Sequence, residues 1–184
     1  MEIVISILLL LVMLFLIALA FVAMSLGALR VPYVTTSTKA LESIVNALNI
    51  EPSSIVYDLG SGDGKVLFAC LKRYPEAQYV GIEGHFFPHF LARRKLKKIG
   101  NDSHIKFILG NFFKQDLSNA THIFMYLLIP LIDKLLPKLE RELKPGTKLV
   151  SCDFPFTNKQ PKEILDILGT EERGRCKKLY IYEF

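Results

Sequence analysis

The chain has 184 residues and carries 23 Lys and Arg against 18 Asp and Glu, a formal net charge of +5, and this length suits one domain. Its 51% hydrophobic content is high for a soluble domain, but the excess is local. Three cysteines, Cys70, Cys152 and Cys176, are odd in number and lack C-x-x-C spacing. That excludes a paired-thiol motif and predicts free thiols in a reducing compartment.

The apolar excess lies at the start. Residues Ile3 to Leu29 contain no charged side chain. At about 1.5 Å per residue such a helix exceeds the roughly 30 Å hydrocarbon core. A cleaved signal peptide needs a basic start and a shorter apolar run, whereas only Glu2 precedes this one. Residues 1–29 are therefore predicted as a retained transmembrane anchor, and 30–184 as the domain it carries. Every Lys and Arg lies after residue 29, so the positive-inside rule predicts a single-pass protein with its domain in the cytoplasm, or in the matrix of an organelle. That domain holds 23 basic and 17 acidic side chains, net +6. The bias favours an anionic membrane surface or acidic partner and does not by itself indicate nucleic acid.

Residues 30–37, Arg-Val-Pro-Tyr-Val-Thr-Thr-Ser, read as extended. They form either a juxtamembrane linker or a lid that brings Tyr33 and Thr35 to a ligand. Thr36 or Ser37 can cap a helix over 38–48 with Leu41, Ile44, Val45 and Leu48 as its apolar stripe. Next comes Ile-Val-Tyr-Asp-Leu-Gly-Ser-Gly-Asp-Gly-Lys, 55–65. It reads as a buried strand, a glycine-rich turn and a helix start. Gly60, Gly62 and Gly64 fall at every second position. Such a turn tolerates positive φ and lets a ligand touch the backbone around Ser61. A dinucleotide fingerprint would need glycine at 65, and Lys65 stands there.

This G-x-G-x-G pattern behind Asp58 resembles motif I of class I S-adenosylmethionine-dependent methyltransferases. The resemblance implies S-adenosylmethionine as cofactor, with Asp58 near its methionine portion and the glycines beneath it. The bland alternative is a glycine turn without a ligand. A second strand, 78–82, ends in Glu83 about 20 residues later, placed to accept ribose hydroxyls. A helix over 86–99 follows, with the basic run Arg93, Arg94, Lys95, Lys97 and Lys98. That run reads first as a solvated face and second as a headgroup contact. His85 and His89 lie four apart, but no third ligand is in view, so no metal is expected. A strand over 104–109 leads to Gly110-Asn111-Phe112. In methyltransferases, a pair like this resembles the element that caps adenine, Asn111 on its amino group and Phe112 against the ring; a plain turn is the alternative. The remaining elements are a strand ending at Met125-Tyr126-Leu127, a helix over 129–143, a strand over 147–152, the loop Asp153-Phe154-Pro155-Phe156, a short helix over 161–168 and a last strand over 177–184.

Pro-Tyr-Val-Thr-Thr (32–36), Asp-Leu-Gly-Ser-Gly-Asp-Gly-Lys (58–65), Leu-Glu-Arg-Glu-Leu (139–143) and Cys-Asp-Phe-Pro-Phe (152–156), following one membrane helix, together resemble one small family. It is the family of membrane-anchored protein-lysine methyltransferases whose mitochondrial members modify the ATP synthase c subunit and the ADP/ATP translocase. The chain departs from it at Thr35, where proline is common, and at Lys65 and Asp153, where arginine is. The resemblance implies an α/β, Rossmann-like seven-stranded class I methyltransferase sheet, mostly parallel with an antiparallel last strand. It also implies in-line methyl transfer to a lysine of a membrane-associated protein, with Tyr126, Asp153 and Phe156 positioning the substrate. A small lipophilic substrate, such as a quinone or lipid, and a non-catalytic binding module are the alternatives.

Overall fold

The computed structural model describes residues 2–27, 38–100, 103–167 and 176–184. The chain divides into two compact units, Met1–Tyr33 and Val34–Phe184. The first contains helix α1, Glu2–Gly27. From Ile3 to Val22 it is long and apolar enough to cross a membrane, and none of that span is buried against protein. A helix apolar on every face has no core to enter in water.

In the second unit the elements run α2 (Thr38–Leu48), β1 (Ile55–Leu59), α3 (Lys65–Arg73), β2 (Gln78–Glu83), α4 (Phe86–Lys98), β3 (Ile105–Leu109), a 3-10 turn (Phe112–Lys114), β4 (His122–Met125), α5 (Ile129–Glu142), β5 (Lys148–Cys152), β6 (Glu163–Asp166) and β7 (Lys178–Glu183). One seven-stranded sheet has the order β3-β2-β1-β4-β5-β7-β6. Strands β1 to β5 are parallel, and β7 runs antiparallel to both β5 and β6.

Parallel strands joined by helices are covered on both faces, so they read as continuous apolar runs. Helices α2, α3 and α4 cover one face through Ile44, Leu48, Leu67, Cys70, Ala92 and Leu96. On the other, α5 inserts Ile132, Leu135 and Leu139. Each fully buried Leu or Ile side chain contributes roughly 1.5–3 kcal/mol. This double cover leaves the carboxyl ends of β1 to β5 aligned along one edge.

Two expectations need correction. The segment predicted as a helix over 161–168 is strand β6, paired with β7 from Glu163↔Ile181 to Asp166↔Lys178. Four exposed or half-buried residues offer no stripe for a helix to bury, whereas β7 offers a free row of backbone groups. Lys162, Glu163 and Asp166 then charge the sheet's outer edge, which discourages further pairing. The cysteines are also not all free. Cys152 and Cys176 form a disulfide with Cα atoms 5.6 Å apart, because β7 begins beside the end of β5. Cys70 is buried and free.

Candidate active site

Asp58 is the penultimate residue of β1, which stays buried through Leu59, and the chain turns at Gly60. The amides of Gly60 and Ser61 both donate to the Ile82 carbonyl, at 2.8 and 3.1 Å. The first turn is thus tied to the end of β2. Gly60, Gly62 and Gly64 have φ of 83°, 55° and 79°. These left-handed values strain any residue with a Cβ. At Gly64 crowding adds to strain, since a Cβ would lie 2.5 Å from the Phe107 ring.

Glu83, at the tip of β2, is buried, and its carboxylate holds the turn in place. Oε2 accepts from the Gly62 amide at 2.8 Å. Oε1 accepts from the His85 amide at 2.8 Å and lies 2.9 Å from His85 Nδ1. A carboxylate has about four lone-pair sites, so acceptor capacity remains for ligand hydroxyls. The Asp58 side chain is 3% exposed. Burial, then the carboxylates of Glu83 and Asp63, push its carboxyl well above the usual carboxylate range. Asp58 and Glu83 are therefore close enough to repel. A cationic ligand group between them would relieve that repulsion. The Ser61 hydroxyl is buried with no hydrogen-bond partner among the described residues, an orphan that a ligand can satisfy.

Asn111 follows β3, where Gly110 donates its amide to the Glu83 carbonyl at 2.8 Å. Its Oδ1 accepts from the Phe113 amide at 2.9 Å and caps the 3-10 turn. Phe112 is half-buried, its ring 4.8 Å from that of Phe113.

Past β4, the Tyr126 hydroxyl donates to Asp153 Oδ2 at 2.6 Å. Asp153 has φ of 61°, and it also accepts from the amides of Cys176, Lys177 and Lys178 at 2.8, 2.6 and 3.2 Å. Burial alone would raise its carboxyl, but Tyr126 and these amides outweigh it and hold Asp153 below the usual range. Phe156 is 4% exposed and packs edge-on against Tyr182, 4.9 Å between centroids. It sits in the core and not at the cleft edge, where the loop pattern had suggested it.

The strand tips thus bring Asp58, Gly60, Ser61, Gly62, Gly64, Glu83, Asn111, Phe112, Tyr126 and Asp153 to one edge. Tyr33, Thr35 and the caps Thr36 and Ser37 lie outside the described residues. Three contributors escaped the sequence. His85 braces Glu83. Gly81 has no room for a Cβ, which would meet Phe107 at 2.5 Å and Ser61 Oγ at 2.8 Å. Phe107 is the floor under the turn, 5.4 Å from the Phe68 ring. A glycine inside an apolar strand was the available signal, since it marks close backbone approach. The described residues include one group of three potential metal ligands, Cys152, Asp153 and Cys176. There the sulfurs are bonded to each other and the carboxylate is taken by amides. Burial, then Asp58, pushes the Cys70 thiol up to about 12, so it is inert as a nucleophile.

Comparison with known proteins places this edge in context. The family model described as the ANTKMT methyltransferase domain matches residues 58–163. A protein-lysine N-methyltransferase from Saccharolobus islandicus (strain REY15A) is 35% identical over 153 residues, 83% of this chain and 93% of its own. A lysine N-methyltransferase from Xenopus laevis, named for the ATP synthase c subunit, is 29% identical over 173 residues, 92% of this chain and 75% of its own. Among solved structures, an RNA methyltransferase from Salinibacter ruber in complex with S-adenosyl-L-homocysteine superposes with a TM-score of 0.74 at 30% identity, covering 82% of this chain and 93% of that one.

Proposed function

The chain belongs to the family of the ANTKMT methyltransferase domain, and from that premise we propose that it N-methylates a lysine in a membrane-associated protein while α1 anchors it in the bilayer. It is an S-adenosylmethionine-dependent methyltransferase. The observation that carries the lysine reading is the 35% identity to a protein-lysine N-methyltransferase along nearly that protein's whole length. The Xenopus laevis relative, whose name specifies part of the ATP synthase, supports a membrane-associated target. The charge asymmetry around residues 1–29 supports a domain on the cytoplasmic or matrix side.

The donor set fits S-adenosylmethionine. Glu83 keeps acceptor capacity for a ribose hydroxyl, and Ser61 offers an unused hydroxyl. Asp58 serves the methionine portion. Gly60, Gly62 and Gly64 leave the backbone bare. Asn111 and Phe112 suit the adenine amino group and ring. When bound, the cofactor supplies an electrophilic methyl group on a sulfonium.

The protein's remaining task is to position the acceptor and exclude water. A lysine attacks only as the neutral amine. The aromatic wall of Tyr126 and Phe154, 6.0 Å apart, favours that form by desolvation. Asp153 fixes Tyr126 and is held too acidic to serve as an effective base at neutral pH. Phe156 lies with Tyr182 in the core cluster against which Phe154 packs. The lysine's proton leaves to solvent before the amine enters.

Purified full-length chain, native membranes and labelled S-adenosylmethionine test the proposal. Methyl-lysine in membrane proteins, located by mass spectrometry, is the expected result. Label confined to the organic extract makes the substrate a small lipophile. Label in RNA instead assigns the activity named for the Salinibacter ruber protein. Cofactor binding without transfer leaves a non-catalytic module. Each of these three outcomes overturns the lysine assignment.

A further inference from the structure

Helix α4 starts three residues after Glu83, so it leaves the same sheet edge as the site. It packs on the sheet through Pro88, Ala92 and Leu96. Its opposite face is unusual. Phe86 and Phe87 are each 67% exposed and Phe90 47% exposed. The Phe86 and Phe90 rings stack on one another in the open, 6.3 Å between centroids.

At about 100° per residue, Phe86, Phe87 and Phe90 fall within one third of the helix circumference. Arg93, Arg94 and Lys97 continue the same stripe one and two turns on, all exposed. No acidic residue occurs in α4. The adjacent Lys95 is already committed to Asp63, on another flank. A water-exposed aromatic cluster followed by a row of cations has two demands: an apolar medium for the rings and anions for the cations. Soluble surfaces rarely present both together. The headgroup layer of an anionic bilayer meets both at the required spacing, since aromatic rings sit at its depth and Lys and Arg pair with its phosphates.

We propose that this face of α4 docks on an anionic bilayer surface, with Phe86, Phe87 and Phe90 in the headgroup layer and Arg93, Arg94 and Lys97 on lipid phosphates. The docking rests on the anchoring by α1 proposed above, which keeps the domain beside a membrane. Its consequence is substrate choice: the carboxyl edge of the sheet is held at the interface, so the accessible lysines are those at headgroup depth.

The chain contains no tryptophan, so Phe87→Trp, at an exposed position, is a unique probe. Full-length F87W is reconstituted into phosphatidylcholine vesicles with and without phosphatidylglycerol. The docked face predicts a blue-shifted emission, protected from iodide and quenched by lipids brominated near the headgroup, only when the anionic lipid is present. Adding R93Q, R94Q and K97Q should return the emission to its solvent-exposed position while the chain still floats with the vesicles. Iodide-accessible emission in both vesicle types, with normal flotation, overturns the docking and leaves the anchor standing. Protection from iodide without lipid quenching assigns the face to a protein contact and also overturns it. Failure to float after alkaline carbonate washing overturns both readings.

Discussion

Burial, then the carboxylates of Glu83 and Asp63, give the Asp58 carboxyl a higher proton affinity in the folded chain than in the unfolded one. Stability from this group is present below the ordinary carboxylate value of about 3.9 and is lost as pH rises through the raised folded value. A cationic ligand reverses the preference, since it favours the ionised form. S-adenosylmethionine should therefore raise the melting temperature more in alkaline buffer than in mildly acidic buffer, with proton release visible by calorimetry in buffers of different ionisation enthalpy. Asp58→Asn removes the ionisable carboxyl. We expect it to keep or raise the melting temperature and to weaken cofactor binding by about 1–3 kcal/mol. Equal affinity in wild type and D58N would remove Asp58 from the site. Gly81 offers a second probe, because a Cβ there meets Phe107 at 2.5 Å. Gly81→Ala should cost about 1–3 kcal/mol by overpacking, read from urea unfolding. Phe107→Leu in the same chain should recover part of that loss, and strictly additive losses would show that the ring is not what the methyl group meets.

At the level of elements, β6 and β7 are where local pattern and tertiary structure part. Asp58 and Glu83 were legible because the strands ahead of them are continuously apolar and the glycines mark the turn. Those signals are local. The Glu163–Asp166 segment has too few residues for a period to declare itself, and its strand conformation comes from β7, a partner that follows it in the chain. The grip of Asp153 on Cys176, Lys177 and Lys178 was likewise invisible, because it joins residues more than 20 positions apart. So was the Cys152–Cys176 bond, whose spacing matches no short motif. That bond closes a loop of 24 residues in sequence separation, for which the chain-entropy model gives about 3 kcal/mol. Reductant should lower the urea midpoint by that equivalent, and Cys176→Ser should reproduce the shift without reductant. An identical midpoint in both conditions would mean that the sulfurs are not joined in solution.

Taken whole, the chain joins a helix long and apolar enough to cross a membrane to a domain of net charge +6. The anchoring by α1 proposed above would raise the local concentration of membrane substrates, an effect of about 10²-fold or more when geometry permits engagement. Deletion of residues 1–29 should leave cofactor affinity unchanged and reduce methylation of a vesicle-embedded substrate by roughly that factor. A truncated chain that methylates vesicle-embedded protein at the full-length rate would remove α1 from the function.

One carboxylate, that of Asp153, touches the end of β4 through Tyr126 and the start of β7 through three successive amides. Peeling β7 from the sheet would strand that anion and those donors together, which ties the last strand to the cleft. Native-state hydrogen exchange should find the amides of Cys176, Lys177 and Lys178 opening only with β5, as one foldon.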